Sequence, residues 1–206
     1  MKTELQQKLL NKYPEFFQRE LPIYTGGDST KQVLEDTVKL LNQKEIVLPI
    51  QFGFECGDGW YMLLDELMAE IKNHILNENR NRANEFQYQW MWTLQSYIHR
   101  KYYKNKKLKA LSAWIYEKAP RKKQDPITVT VTQIKEKFGG LCFYYNGGDD
   151  DIFGMTRLAE SLSYKICESC GTTLNVGQTN GWIYTCCWDC LNKNERAKDL
   201  TWKLKK

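Results

Sequence analysis

The apolar positions change period several times along the chain, and each change marks an element. Leu5, Leu9, Leu10, Tyr13, Phe16 and Phe17 recur at three- and four-residue intervals over 2–20, predicting an amphipathic helix broken at Pro14. Residues 22–31 read as a loop, a short polar helix is expected over 31–42, and 46–54 has strand composition that Pro49 confines to a sheet edge. Trp60, Leu63, Leu64, Leu67, Ile71, His74 and Ile75 then share one helical stripe, with Asp58 as the expected N-cap and the Asn/Arg-rich stretch 77–84 as the end.

Over 85–103 two periods compete. Phe86, Tyr88, Trp90 and Trp92 alternate like a strand, whereas Phe86, Trp90, Leu94, Tyr97 and Ile98 fit a helix, which the length favours. Leu108, Leu111, Ser112 and Ile115 predict a further helix ending before Pro120. The alternating β-branched run 127–133 and the run 141–145 predict two strands joined through the glycines of KEKFGG as a hairpin. A helix over 150–164 is expected to bury Ile152, Met155, Leu158, Ala159 and Leu162, with Asp149, Asp150 and Asp151 at its positive end. A strand over 181–185 and a helix from Cys187 onward complete the pattern. The fold class is therefore α+β: a mixed helical body with a central hairpin. The expected partition is an N-terminal helical segment (1–45), an α+β core (46–165) and a cysteine-bearing C-terminal segment with its helix (166–206).

Composition narrows the class. Of 206 residues 42% are hydrophobic and 27% charged, an ordinary globular balance. No apolar run has the length of a membrane helix and the N-terminus lacks a signal-peptide pattern, so the expectation is a soluble cytoplasmic protein with no membrane partner. The net charge of +5 implies little alone, but its distribution is uneven. Arg100, Lys101, Lys104, Lys106, Lys107, Lys109, Lys118, Arg121, Lys122 and Lys123 are opposed within 100–123 only by Glu117, a local net of +9. Tyr102, Tyr103 and Trp114 are interleaved. Cations that meet phosphates beside rings that stack on bases are what a nucleic-acid surface requires; a solvated charged helix is the plainer alternative. Nucleic acid is thus one candidate partner, contacted through Arg100, Lys101, Tyr103, Lys104, Lys106, Lys107, Lys109, Arg121, Lys122 and Lys123, and another protein is the alternative.

Five of the seven cysteines fall within 24 residues. Cys167 and Cys170, then Cys187 and Cys190, form C-x₂-C-x₁₆-C-x₂-C, within the spacing range of a tetrathiolate zinc site. Two thiolates two residues apart can hold one ion from a tight turn, and a second such turn completes the tetrahedron. Cys186 with Cys190 is a competing second pair, but Cys187 with Cys190 repeats the spacing of the first pair and is preferred, leaving Cys186 as a buried or free thiol. A site with four protein ligands has no open coordination position, so a Zn²⁺ there is structural.

Knuckle, hairpin and helix in that order resemble a treble-clef zinc finger, GATA-type fingers in particular, over 167–200. CGDGW at 56–60, IKEKFGGLCFYYNG at 134–147, AES at 159–161 and CESCG…GWIYTCCWDC together resemble a family of bacteriophage and prophage proteins. That resemblance implies a phage protein acting in the host cell and a terminal zinc finger. It implies no reaction, and it leaves a host protein as the alternative partner, met through Trp182, Trp188 and Trp202.

Enzyme readings find little support. Zinc deaminases need His-x-Glu with Pro-Cys-x-x-Cys, and neither is present. Nucleases with similar fingers need histidines nearby, and 100–206 contains none. No catalytic residue is assigned. Glu55, Asp58 and Trp60, in the Gly-rich turn 55–60, remain a candidate functional turn; the competing reading is a strand-to-helix turn capped by Asp58. The acids after Gly147 read as helix caps, with Mg²⁺ binding the alternative.

Overall fold

The computed structural model describes residues 1–17, 53–122, 124–194 and 201–204. The loop and polar helix expected over 22–42, all of the 46–54 strand except its last two residues, and Lys123 lie outside the described residues. What is described is mixed α and β, divided into two units: 1–71 with 128–206, and 72–127.

In the first unit, α1 (Thr3–Lys12) runs into a 3₁₀ turn at Pro14–Phe16, as the proline demands. Its apolar stripe buries Leu9, Leu10, Tyr13, Phe16 and Phe17. Strand β1 (Phe54–Glu55) leads through a second 3₁₀ turn, Asp58–Trp60, into α2 (Tyr61–Asn84), which buries Leu64, Leu67, Met68 and Ile71. The Asn/Arg-rich stretch expected to end this helix is instead its last two turns. Asn79 explains part of that, since its amide donates to the Ile127 carbonyl and accepts from the Ile127 N–H. Nor does Asp58 act as a side-chain cap: it is the first residue of the 3₁₀ turn, and its carboxylate accepts from the backbone N–H of Lys2 at 2.6 Å.

Strands β2 (Val129–Lys137) and β3 (Gly140–Gly147) form the expected antiparallel hairpin, and β1 pairs parallel with β2 at Phe54–Ile134, giving the order β1-β2-β3. The turn is tighter than KEKFGG suggested. Only Phe138 and Gly139 lie between the paired Lys137 and Gly140, with φ of 53° and 75°. Both residues of such a two-residue turn need positive φ. Gly140 belongs to β3; a Cβ there would fall 2.4 Å from the Tyr164 ring.

Helix α5 (Asp150–Ser163) is capped by Asp149, whose carboxylate accepts from Ile152 N–H. Ahead of it in the chain, the second unit holds α3 (Gln89–Tyr102) and α4 (Lys106–Lys118). α5 buries Ile152, Thr156, Ala159 and Ser163 rather than the expected leucines; Leu158 and Leu162 are exposed. The reason is polar. β3 is an edge strand, and its free amides need acceptors. Ser163 Oγ accepts from Leu141 N–H and Glu160 accepts from Phe143 N–H, which turns the polar stripe of the helix toward the sheet.

The C-terminal part of this unit is a second sheet, order β5-β4-β6, built from β4 (Val176–Thr179), β5 (Thr185–Cys187) and β6 (Trp202–Leu204). The helix expected from Cys187 onward is short, α6 (Trp188–Lys193), and the chain returns as a strand. Trp202 accounts for that return. Its ring lies over Gly177, where a Cβ would meet it at 2.5 Å, and its indole N–H donates to the Cys186 carbonyl at 3.1 Å.

The second unit holds the end of α2, from Lys72, and a helical hairpin in which α3 and α4 pack antiparallel. Asn105 caps α4 by accepting from Lys107 and Leu108 N–H, and Pro120 ends it. Its core is small: Phe86, Ile98, Ser112, Ile115 and Ala119. The helical reading of 85–103 holds from Gln89, and Phe86 instead bridges to Arg121.

Phe138 is exposed and sits in a conformation that costs a non-glycine residue about 1 kcal/mol. Phe138→Asn, which makes the turn Asn-Gly, is expected to stabilise the protein by about 1 kcal/mol, read as a rise in Tm of roughly 2–4 °C.

Candidate functional site

The first knuckle is a turn in which Gly171 N–H donates to the Cys167 carbonyl and Cys167 N–H to the Thr172 carbonyl, each at 2.8 Å. Gly171 closes it at φ +79°, a left-handed position that suits glycine. The second pair is placed by a strand-to-helix junction: Cys187 ends β5 and caps α6, its sulfur accepting from Cys190 N–H at 3.4 Å. The four sulfurs of Cys167, Cys170, Cys187 and Cys190 lie within 4.8 Å of one another, close enough to hold a metal ion. Sγ of Cys170 and Sγ of Cys187 are 3.8 Å apart. A tetrahedron with 2.3 Å metal–sulfur bonds has edges of about 3.8 Å, so the spacing fits a single ion.

Burial opposes ionisation of Cys167, but N–H groups of Cys187, Cys170 and Ser169 directed at its sulfur hold the thiol below its ordinary value. Burial, and after it the neighbouring thiols, push Cys190 well above its own. Cys186 is a different kind of residue. Strand alternation turns it to the other face of β5, and burial raises its thiol to about 11. The competition between Cys186 and Cys187 is thus decided for Cys187.

The knuckle rests on the turn 55–60. Gly59 N–H donates to the Glu168 carbonyl at 2.7 Å, Gly57 N–H to the Glu168 carboxylate at 2.8 Å, and the Trp60 indole to the Ile166 carbonyl at 3.1 Å. A Cβ on Gly59 would stand 2.2 Å from the Cys167 carbonyl oxygen, and one on Gly57 2.2 Å from that of Glu168. The KEKFGG turn meets the same region, where Thr185 Oγ1 donates to the Gly139 carbonyl and accepts from Gln178. The residues of the candidate functional turn have structural partners. Trp60 is fully buried, Glu55 accepts from Gln133, and Asp58 pairs with Lys2, whose backbone N–H first of all holds its carboxyl below the ordinary value. Glu168, Gly59 and Thr185 escaped notice in the sequence because nothing local marks a backbone that will be approached by another backbone.

The basic segment is the α3–α4 hairpin with its connecting loop. Arg100, Lys101, Tyr103, Lys104, Lys106, Lys107, Lys109 and Lys122 are all exposed. Among the described residues Arg100, Lys106, Lys107 and Lys109 make no ion pair, whereas Lys122 pairs with Glu85. Lys101 hydrogen-bonds to Tyr97, and Lys104 lies over the Tyr103 ring. Arg121 is different. Its guanidinium lies 4.1 Å from the Phe86 ring and 4.7 Å from that of Tyr116, a packing role that takes it out of the expected contact set. Residues 72–127 carry thirteen Lys and Arg against four Asp and Glu, a net of +9, which leaves −4 for the rest of a chain whose total is +5.

The sequence reading placed Trp90, Leu94 and Tyr97 on a helix stripe without separating buried from exposed. All three are exposed, as are Leu111 and Trp114. Trp182 and Trp188 are exposed as well, whereas Trp202 is half-buried and its ring packs edge-on against Trp188 at 5.5 Å. Among the described residues no helix is long and apolar enough to cross a membrane. No family model, curated protein or solved structure matches the chain.

Cys170→Ser is expected to abolish stoichiometric metal binding, measured by elemental analysis of protein purified without chelator, while Cys186→Ser keeps it. Gly59→Ala should destabilise the protein by about 3 kcal/mol in chemical denaturation, because the obstructing atoms are backbone. Gly154→Ala, in open space on α5, should instead stabilise it by about 0.5–1 kcal/mol.

Proposed function

We propose that this is a phage-encoded, zinc-stabilised protein that binds nucleic acid through the α3–α4 hairpin. The observation that carries the reading is the separation of charge. A unit of 56 residues holds a net +9 while the remainder is −4, and Arg100, Lys101, Lys104, Lys106, Lys107 and Lys109 are exposed beside exposed aromatic rings. Such a surface attracts a polyanion from solution and exchanges its counterions for lysines. The four cysteines supply the scaffold. The order of knuckle, β4–β5 hairpin and α6, with the second pair in the first turn of the helix, supports a treble-clef-type site. Four thiolates from rigid turns at tetrahedral spacing favour Zn²⁺, and full protein ligation gives it a structural role.

If about five phosphates are contacted, affinity for duplex DNA should fall with salt at a log–log slope of about −4 to −5. Replacing Lys106, Lys107 and Lys109 with Gln should reduce that slope by about two to three, with Tm unchanged because all three are exposed. Absence of salt-dependent binding to any nucleic acid at about 50 mM salt would overturn the reading. It would leave the hairpin as a docking surface for an acidic host protein.

A further inference from the structure

Five large apolar side chains of the hairpin gather on one side. The 3.6-residue period sets Trp90, Leu94, Tyr97 and Lys101 along one stripe of α3, and Lys107, Leu111, Trp114 and Lys118 along one stripe of α4. The two stripes face the same way. Gln95 Nε2 donates to Ser112 Oγ at 3.3 Å across the helix pair, so Leu94 and Leu111, each one residue earlier on its helix, lie on the same side of that contact. The relative exposures are Trp90 63%, Trp114 59%, Tyr97 44%, Leu94 42% and Leu111 42%. Lys101 and Lys107 stand at the loop end and Lys118, paired with Glu117 at 2.9 Å, at the other.

We propose that this face binds single-stranded nucleic acid by stacking unpaired bases on Trp90, Tyr97 and Trp114, with the terminal lysines on the flanking phosphates. The proposal rests on the nucleic-acid reading of the hairpin and names the form of nucleic acid and the residues that select it. An apolar face this concentrated requires an apolar ligand surface, and the charge around it requires an anion. Unpaired bases on a phosphate backbone satisfy both at once. A duplex satisfies only the second, because its base faces are already stacked on one another. The spacing agrees. Trp90 and Tyr97 are seven residues apart, about 10 Å along the helix, and the Gln95–Ser112 contact sets Trp114 at an intermediate height. Neighbouring rings are therefore about 5 Å apart in height, wider than the roughly 3.4 Å rise of stacked bases. The rings would receive bases splayed from one another, which a single strand can present. Lys101 is already held near this stripe, its ammonium 2.9 Å from Tyr97 Oη.

The test compares oligothymidylate, oligouridylate and a DNA duplex of equal length by equilibrium titration at fixed salt, following tryptophan fluorescence. The expected result is tighter binding of the single strands than of the duplex, with quenching. Trp90→Ala, Tyr97→Ala and Trp114→Ala should each lose about five- to hundredfold in single-strand affinity while duplex affinity and Tm hold. Trp114→Phe, which keeps a ring, should retain most of the affinity. Tighter binding of either oligothymidylate or oligouridylate supports the proposal and says whether DNA or RNA is favoured. Equal affinity for duplex and single strand, unmoved by the alanine variants, would overturn the stacking proposal and leave the electrostatic reading standing. Binding to none of the three would overturn both. A dimer in solution that Trp90→Ala and Trp114→Ala convert to monomer would also overturn it, since the face would then be covered by a second copy.

Discussion

At Gly57 and Gly59 the main chain of one turn lies directly against the main chain of the cysteine knuckle, with no room for a Cβ between them. Two N–H groups of the turn end on Glu168, and the Trp60 indole ends on Ile166 one residue before the first ligand. Much else in the first unit depends on this contact. It fixes the knuckle to the start of α2 and to β1, and through the β1–β2 pairing to the central sheet. Thr185, just before the second ligand pair, ties that pair to the Gly139 turn at the end of the same hairpin. The four clustered cysteines are therefore held from two directions, by elements far away in sequence.

This arrangement explains why motifs with a chemical look have structural duties. Asp58 serves Lys2, Glu55 serves Gln133, and Glu160 of the AES stretch serves the edge amide of Phe143. An ion held by the four cysteines would add rigidity here, since the binding free energy of a structural ion is also folding free energy.

The helical hairpin follows a different logic. Among the described residues its buried core is a handful of side chains, and many of its aromatic rings are exposed. Caps at Asn105 and Pro120, and the Phe86–Arg121 bridge, define the hairpin with little core behind it. Among the described residues Arg100, Lys106, Lys107 and Lys109 make no ion pair, and Trp90 and Trp114 stay exposed. The sequence showed the charge at once, because charge sums without regard to geometry. The aromatic face was harder to see, because Trp90, Leu94 and Tyr97 repeat with the period that a buried stripe has. Period identifies a face and does not say what covers it.

The same distinction runs through the whole molecule. Local chemistry settled what depends on nearest neighbours along the chain: the two cysteine pairs, the α+β class, the β2–β3 hairpin, the break at Pro14 and the basic segment. It could not settle the contents of α5's buried face, where Ser163 and Glu160 displaced Leu158 and Leu162 because an edge strand offered amides that needed acceptors. Nor could it foresee the strand at Trp202, which exists because a glycine on β4 leaves space for an indole. Above all it could not place CGDGW against CESCG. Backbone meeting backbone across more than a hundred residues leaves only a glycine as its trace in sequence, and a glycine is also what any turn would use.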